Sequence, residues 1–352
     1  MIPKSNTSLN DEVIMDQRKK KVAWYLVTTL IFAVLIYFAD VQKFIEALTD
    51  VNMFYLALAT VSGLLTFVFW AFTWQTLFGG IGINSRFSNT IKMALAGNFM
   101  NSVTPLGQFG GEPFIAYIIS DNTGASYEKS LSCIVSADIM NSTPIITYMG
   151  AGLTYLLLFG VLRGVFVKFA YLTAALLILG LVLIYFLWFE QGSLKNIIFR
   201  LVDSLESRIS FLEDYSDSLK SRIERVENSF NKVGEDPGVI LRGLALSHLA
   251  IGAQFVALYF VLVSKGLKPS ITAIFFTVII SGFSIWAPTP GGSGAYEATF
   301  SAILMLFYSL SLDTALAIAI LFRIATFWSG ILVGYPAILS LGSDVPEGKV
   351  SG

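Results

Sequence analysis

No helix can run unbroken through residues 287–297, A-P-T-P-G-G-S-G-A-Y-E, and this limits the fold more than any other stretch. Pro288 and Pro290 remove two backbone N–H donors, while Gly291, Gly292 and Gly294 admit φ of either sign. Yet the break lies between two apolar runs, 271–286 and 298–310. In a bilayer, unpaired backbone groups are tolerated only where protein or water shields them from lipid. Backbone N–H groups exposed at such a break can meet a ligand, and broken helices of this kind mark the binding sites of transporters.

A second stretch repeats the pattern. Residues 104–112 read T-P-L-G-Q-F-G-G-E, and residues 289–297 read T-P-G-G-S-G-A-Y-E. Both fit T-P-x-G-x-x-x-x-E, pairing Thr104 with Thr289, Pro105 with Pro290, Gly107 with Gly292 and Glu112 with Glu297. Gly110 and Gly111 precede the first glutamate. Each stretch lies between apolar segments, which predicts an internal structural repeat.

Composition puts the rest of the chain in the membrane. Of 352 residues, 55% are hydrophobic and only 13% charged, against about a quarter in soluble domains. The mean hydropathy is +0.70. The predicted fold is an all-α polytopic membrane protein with six full spans and two broken or re-entrant pairs. The spans are 22–39, 51–78, 131–161, 165–189, 239–263 and 314–339, and the pairs lie near 90–119 and 271–310. Trp70 and Trp74 suit the head-group level at the far end of the second span. The return arm of the first pair, 113–119, is too short to cross. Residues 1–21 and 340–352 read as tails, and no cleavable signal peptide is expected.

Segment 190–236 differs in kind. Apolar residues recur there in steps of three and four on a charged background, the stripe of an amphipathic helical insert between the membrane halves 22–189 and 237–339. Charge sets the orientation. With the N-terminus inside, 17 of the 23 Lys and Arg are cytoplasmic, and the bias survives leaving out 190–236. Only Lys43, Arg163, Lys168, Lys265 and Lys268 fall outside, and Arg323 is in the membrane. Both termini are then cytoplasmic, and three spans separate the pairs, so the repeat is inverted.

Glu112 and Glu297 close their loops where the next helix is expected to begin. Each can cap that helix, or act as a proton or cation site. Arg323 in the sixth span needs an acid or a ligand phosphate. Asp138 in the third span and the two glutamates are the candidate acids, and a resting pair that opens for ligand is expected. The N–H groups of Gly291, Gly292 and Gly294 would assist in holding a phosphate. His248, the only histidine, reads as a hydrogen-bonded packing residue, and Cys133, the only cysteine, excludes a disulfide. Gly291-Gly292-Ser293-Gly294 fits a G-x-S-G serine motif, but no histidine follows it, so a hydrolase is disfavoured.

At P-T-P-G-G-S-G-A-Y-E the chain resembles the flippase-like family, the lysylphosphatidylglycerol synthase transmembrane region. T-P-L-G-Q-F-G-G-E-P-F-I-A-Y, Asp138 and L-F-R-I-A-T-F-W around Arg323 extend the likeness over 22–339, apart from 190–236. It implies kinship with a domain that moves aminoacylated phosphatidylglycerol between leaflets. The chain departs at Ile115 and Ile139, where the family pattern often has arginine, and two fewer cations weaken the transfer of an anionic-lipid role. No synthase activity is inferred.

The sequence therefore predicts a translocase for a phospholipid or lipid-linked head group in a prokaryotic cytoplasmic membrane. It is expected not to be an enzyme, with no cofactor, metal or nucleic-acid partner. The substrate site is predicted from Thr104, Pro105, Gly107, Gly110, Gly111, Glu112, Asp138, Pro288, Pro290, Gly291, Gly292, Gly294, Glu297 and Arg323. The alternative is a membrane scaffold whose 190–236 segment recruits a cytosolic partner, or a second copy of the chain.

Overall fold

A computed structural model describes residues 46, 48–103, 108–158, 234–287 and 289–343, with isolated positions between 167 and 178. The span at 22–39, most of 165–189 and of 190–236, and Thr104, Pro105, Gly107 and Pro288 lie outside the described residues. Among those described, every regular element is helical. In chain order these are α1 (Met53–Ile81), α2 (Phe87–Val103), α3 (Gln108–Thr123), α4 (Tyr127–Leu158), α5 (Pro237–Ser264), α6 (Ile271–Gly282), α7 (Ala295–Phe307), α8 (Leu312–Arg323) and α9 (Ser329–Ser343). A π-helical turn, Ile324–Trp328, joins α8 to α9.

Three helical stretches have the length and hydropathy to cross a membrane: Met53–Ile81, Pro237–Ser264 and Leu312–Leu341. The first two run antiparallel. At one end Asn52 N–H donates to the Ser264 carbonyl at 2.9 Å, and Lys265 binds Asp50. At the other, Gly80 lies under the Val239 side chain. Helices α4 and α5 run parallel instead. Met140 lies against Gly243, Ser247 donates to Asn141 at 2.8 Å, and further along Thr147 meets His248 Nε2 at 2.7 Å. His248 Nδ1 lies 2.7 Å from the Leu244 carbonyl, so a proton belongs on that nitrogen and Nε2 accepts from Thr147. The histidine is a hydrogen-bonded seam residue.

Helices α6 and α7 form an antiparallel hairpin. Tyr308 ties its open end, accepting from Ser270 N–H at 2.8 Å and donating to the Lys268 carbonyl at 3.0 Å. Ser284 donates to Thr299 at 2.9 Å and Phe276 stacks on Phe307, which fixes the register of the arms. With 12 and 13 residues, the arms are about 18 and 20 Å long, well short of about 30 Å of hydrocarbon.

The chain divides into two compact units, one comprising 1–66, 95–114 and 253–340, the other 67–94, 115–252 and 341–352. The division does not follow the sequence halves, since α1, α2, α3, α5 and α9 each contribute to both units. In the first unit a core forms from α5, α6, α7 and α8 around Leu258, Val278, Phe300 and Phe322. Within lipid, such packing is stabilised by close van der Waals fit and not by transfer from water, so small residues matter most. A Cβ added at Gly63 would fall 2.1 Å from the Ala325 carbonyl oxygen, and one at Gly334 would fall 2.7 Å from the Leu95 carbonyl oxygen.

Two expectations are corrected. The return arm of the first pair is the 16-residue α3, beginning at Gln108 and not at Pro113. Gly111 sits inside that helix because Asn101 of α2 presses on it: an added Cβ would meet Asn101 Oδ1 at 2.0 Å. The glycine serves close approach there. The span predicted at 314–339 is present as one helical stretch, Leu312–Leu341, which runs through the π turn. Trp74 is buried and packs on Phe78, so it is not a head-group anchor.

Candidate functional site

The second loop is built by its glycines. After α6 the chain turns through a short 3₁₀ stretch, Phe283–Trp286, and then a second, Pro290–Gly292. Gly291, Gly292 and Gly294 have φ of 57°, 67° and 85°, a region that strains any residue with a Cβ. At Gly291 the demand is double, since an added Cβ would also fall 2.4 Å from the Phe327 ring. Thr289 closes the loop, donating its hydroxyl to the Ser293 carbonyl at 3.0 Å while its own carbonyl accepts from Gly292 N–H at 2.9 Å. The loop is thereby held as one rigid turn ahead of α7.

Glu297 is the third residue of α7, and it reaches back. Its Oε2 accepts from the N-cap Gly294 N–H at 2.6 Å, the carboxylate half of a capping box. Its Oε1 accepts from Arg323 Nε at 3.0 Å. Arg323, the last residue of α8, also donates through Nη2 to the Gly291 carbonyl at 3.0 Å and to Ser293 Oγ at 3.2 Å. The guanidinium carbon lies 3.6 Å from the Phe327 ring centroid and 5.0 Å from that of Tyr296. Arg323 is 3% exposed and Glu297 2%, so the pair is wholly inside protein. Such a pair is balanced only while both members are present: removing one leaves an uncompensated buried charge, a loss of about 3–5 kcal/mol.

Arg323 has five N–H donors. Its bonds occupy Nε and Nη2, and among the described residues none is made by Nη1. One edge of the fork thus remains for an acceptor.

The predicted residues separate. Gly291, Gly292, Gly294, Glu297 and Arg323 meet in one cluster, with Pro290 in its backbone turn. Glu112 and Gly111 belong to the same compact unit, on α3, but Glu112 is the fifth residue of its helix where Glu297 is the third. The two motif glutamates therefore stand at different helix positions. Gly110 also falls within α3, and Asp138 is on α4 in the other unit. Ser293, Tyr296, Phe327 and Thr289 complete the site; Thr289, Ser293 and Tyr296 lie inside the motif but are not among the predicted substrate residues. Phe327 carries the one signal that was available, its position four residues after Arg323. Among the described residues, no group of three or more His, Cys, Asp or Glu side chains is placed to hold a metal ion.

The π turn follows Arg323 directly and carries Phe327, while Ser329 Oγ donates to the Ala325 carbonyl at 2.7 Å. Gly334, eleven residues beyond Arg323, seats α9 against Leu95 and Phe99 of α2. One continuous stretch, Leu312–Leu341, therefore touches the second loop at one point and α2 at another.

Apolar membrane-length helices, a loop broken within the apolar core and a buried ion pair at the break define a multi-pass α-helical membrane protein. The chain belongs to the family of the lysylphosphatidylglycerol synthase transmembrane region, whose profile matches residues 25–334. It is similar to a UPF0104 membrane protein of Pyrococcus horikoshii, 23% identical over 90% of this chain and 95% of the relative. UPF0104 membrane proteins of Methanocaldococcus jannaschii (21%, covering 94% and 97%) and Archaeoglobus fulgidus (22%, covering 88% and 93%) are similar along nearly their whole lengths too.

Proposed function

We propose that this chain moves the head group of a phospholipid or lipid-linked anion across the cytoplasmic membrane, and that the second loop is its head-group site. The observation that carries the reading is Arg323, buried at a helix break with one edge of its fork unused by any described residue. Planar guanidinium forks suit phosphate, and intramembrane cations mark substrate paths. Gly294 N–H, now turned to Glu297, adds a backbone donor of the kind that recognises anions at helix starts. Membership of a family named for lysylphosphatidylglycerol synthesis supports a lipid as substrate.

Two features support alternating access. Helix α2 leaves from the end of α1 and α6 from the end of α5, and those parent helices are antiparallel. The hairpins then enter from opposite faces as an inverted, re-entrant pair, with the cation-rich connections facing the cytoplasm.

A leaflet-exchange assay tests this. Purified full-length chain is reconstituted in phosphatidylcholine vesicles containing, in turn, trace fluorescent phosphatidylglycerol, phosphatidylserine and phosphatidic acid. A membrane-impermeant quencher is then added. The expected result is that at least one anionic lipid becomes fully quenchable, whereas protein-free vesicles protect their inner leaflet. Protection of the inner leaflet for all three would overturn the reading.

A further inference from the structure

The anion site of the second loop already holds an anion. The two carboxylate oxygens of Glu297 take the Gly294 N–H at 2.6 Å and the Arg323 Nε at 3.0 Å, donors that a phosphate would also engage. The other titratable group on α7 beside the pair is Tyr296; α8 carries Asp313 as well as Arg323, but in its first turn, at the opposite end of the helix from the pair. Among the described residues, Arg323 is the only cation bonded to Glu297, so a ligand that takes over Arg323 removes the ionic partner of the carboxylate. An ionised carboxylate 2% exposed and stripped of its partner is strongly unfavourable, and such groups take up a proton instead.

We infer that an anionic head group enters by displacing Glu297 from Arg323, and that Glu297 binds one proton as it leaves. The inference rests on the reading of this loop as an anion site. Before binding, the guanidinium is balanced by the Glu297 carboxylate; afterwards it is balanced by phosphate, and the carboxyl is neutral. Proton and head group are therefore taken up together.

The test measures binding of a fluorescent phosphatidylglycerol to the detergent-purified full chain at several pH values. A phosphodiester does not titrate near neutral pH, so any pH dependence belongs to the protein. In the native chain the apparent Kd should rise about tenfold per pH unit while Glu297 is ionised, because each bound lipid then requires one proton from solution. Glu297→Gln should bind more tightly with a flat profile. A flat native profile, with binding still lost in Arg323→Gln, would overturn proton uptake while leaving the anion site standing. That outcome would mean phosphate docks on Nη1 beside an undisturbed carboxylate. A sloped profile that persists in Glu297→Gln would assign the proton to another group and also overturn it. Undiminished binding in Arg323→Gln would instead defeat the anion-site reading. Should the variants fail to fold, the native slope alone decides, since a slope of zero excludes proton uptake.

Discussion

At the scale of single residues, Glu297 and Arg323 answer for each other. Glu297→Gln leaves Arg323 buried against an amide, which cannot accept from Arg323 Nε and Gly294 N–H at once without turning an N–H toward a donor. Detergent melting should show a loss of about 3–5 kcal/mol, and adding Arg323→Met should recover part of it. Equal and additive losses would mean that the pair is not coupled. The choice of Glu297 over Asp138 and Glu112 was not legible in the sequence. All three acids satisfied the demand of a buried arginine, and only the antiparallel register of α7 on α8, seen again where Phe300 stacks on Phe322, selects among them.

At the scale of elements, the breaks that Pro and Gly make were legible where the glycines adopt positive φ, as at Gly291 and Gly294. They misled where glycine serves contact instead, as at Gly111 inside α3. The π turn had no signal at all: I-A-T-F-W contains neither Pro nor Gly. It is held in place from outside, by Gly63 of α1 against the Ala325 carbonyl. Gly63→Val should therefore cost roughly 1–3 kcal/mol in melting and weaken lipid binding, although it touches no charged group. Gly79→Ala on the same helix, with nothing within 4 Å of the added Cβ, should change neither. Equal effects of the two would show that α1 does not brace the turn.

At the scale of the whole molecule, topology was read from apolar length and cation bias; the contacts at the ends of α1 and α5 bear only on the opposed directions of those two helices. Single cysteines at Asn122 and Gly266, in a Cys133→Ser background, should label from opposite sides of the membrane; labelling from one side would end the inverted arrangement. The ion pair has a further consequence at this scale. A site whose arginine is always matched by one negative charge, first its own carboxylate and then a head group, is electrically neutral both empty and loaded. Membrane voltage acts on charge, at about 2.3 kcal/mol per elementary charge per 100 mV. A lipid anion travelling with its proton gives that field nothing to pull on, so the direction of transfer would follow the proton and lipid gradients and ignore the electrical one.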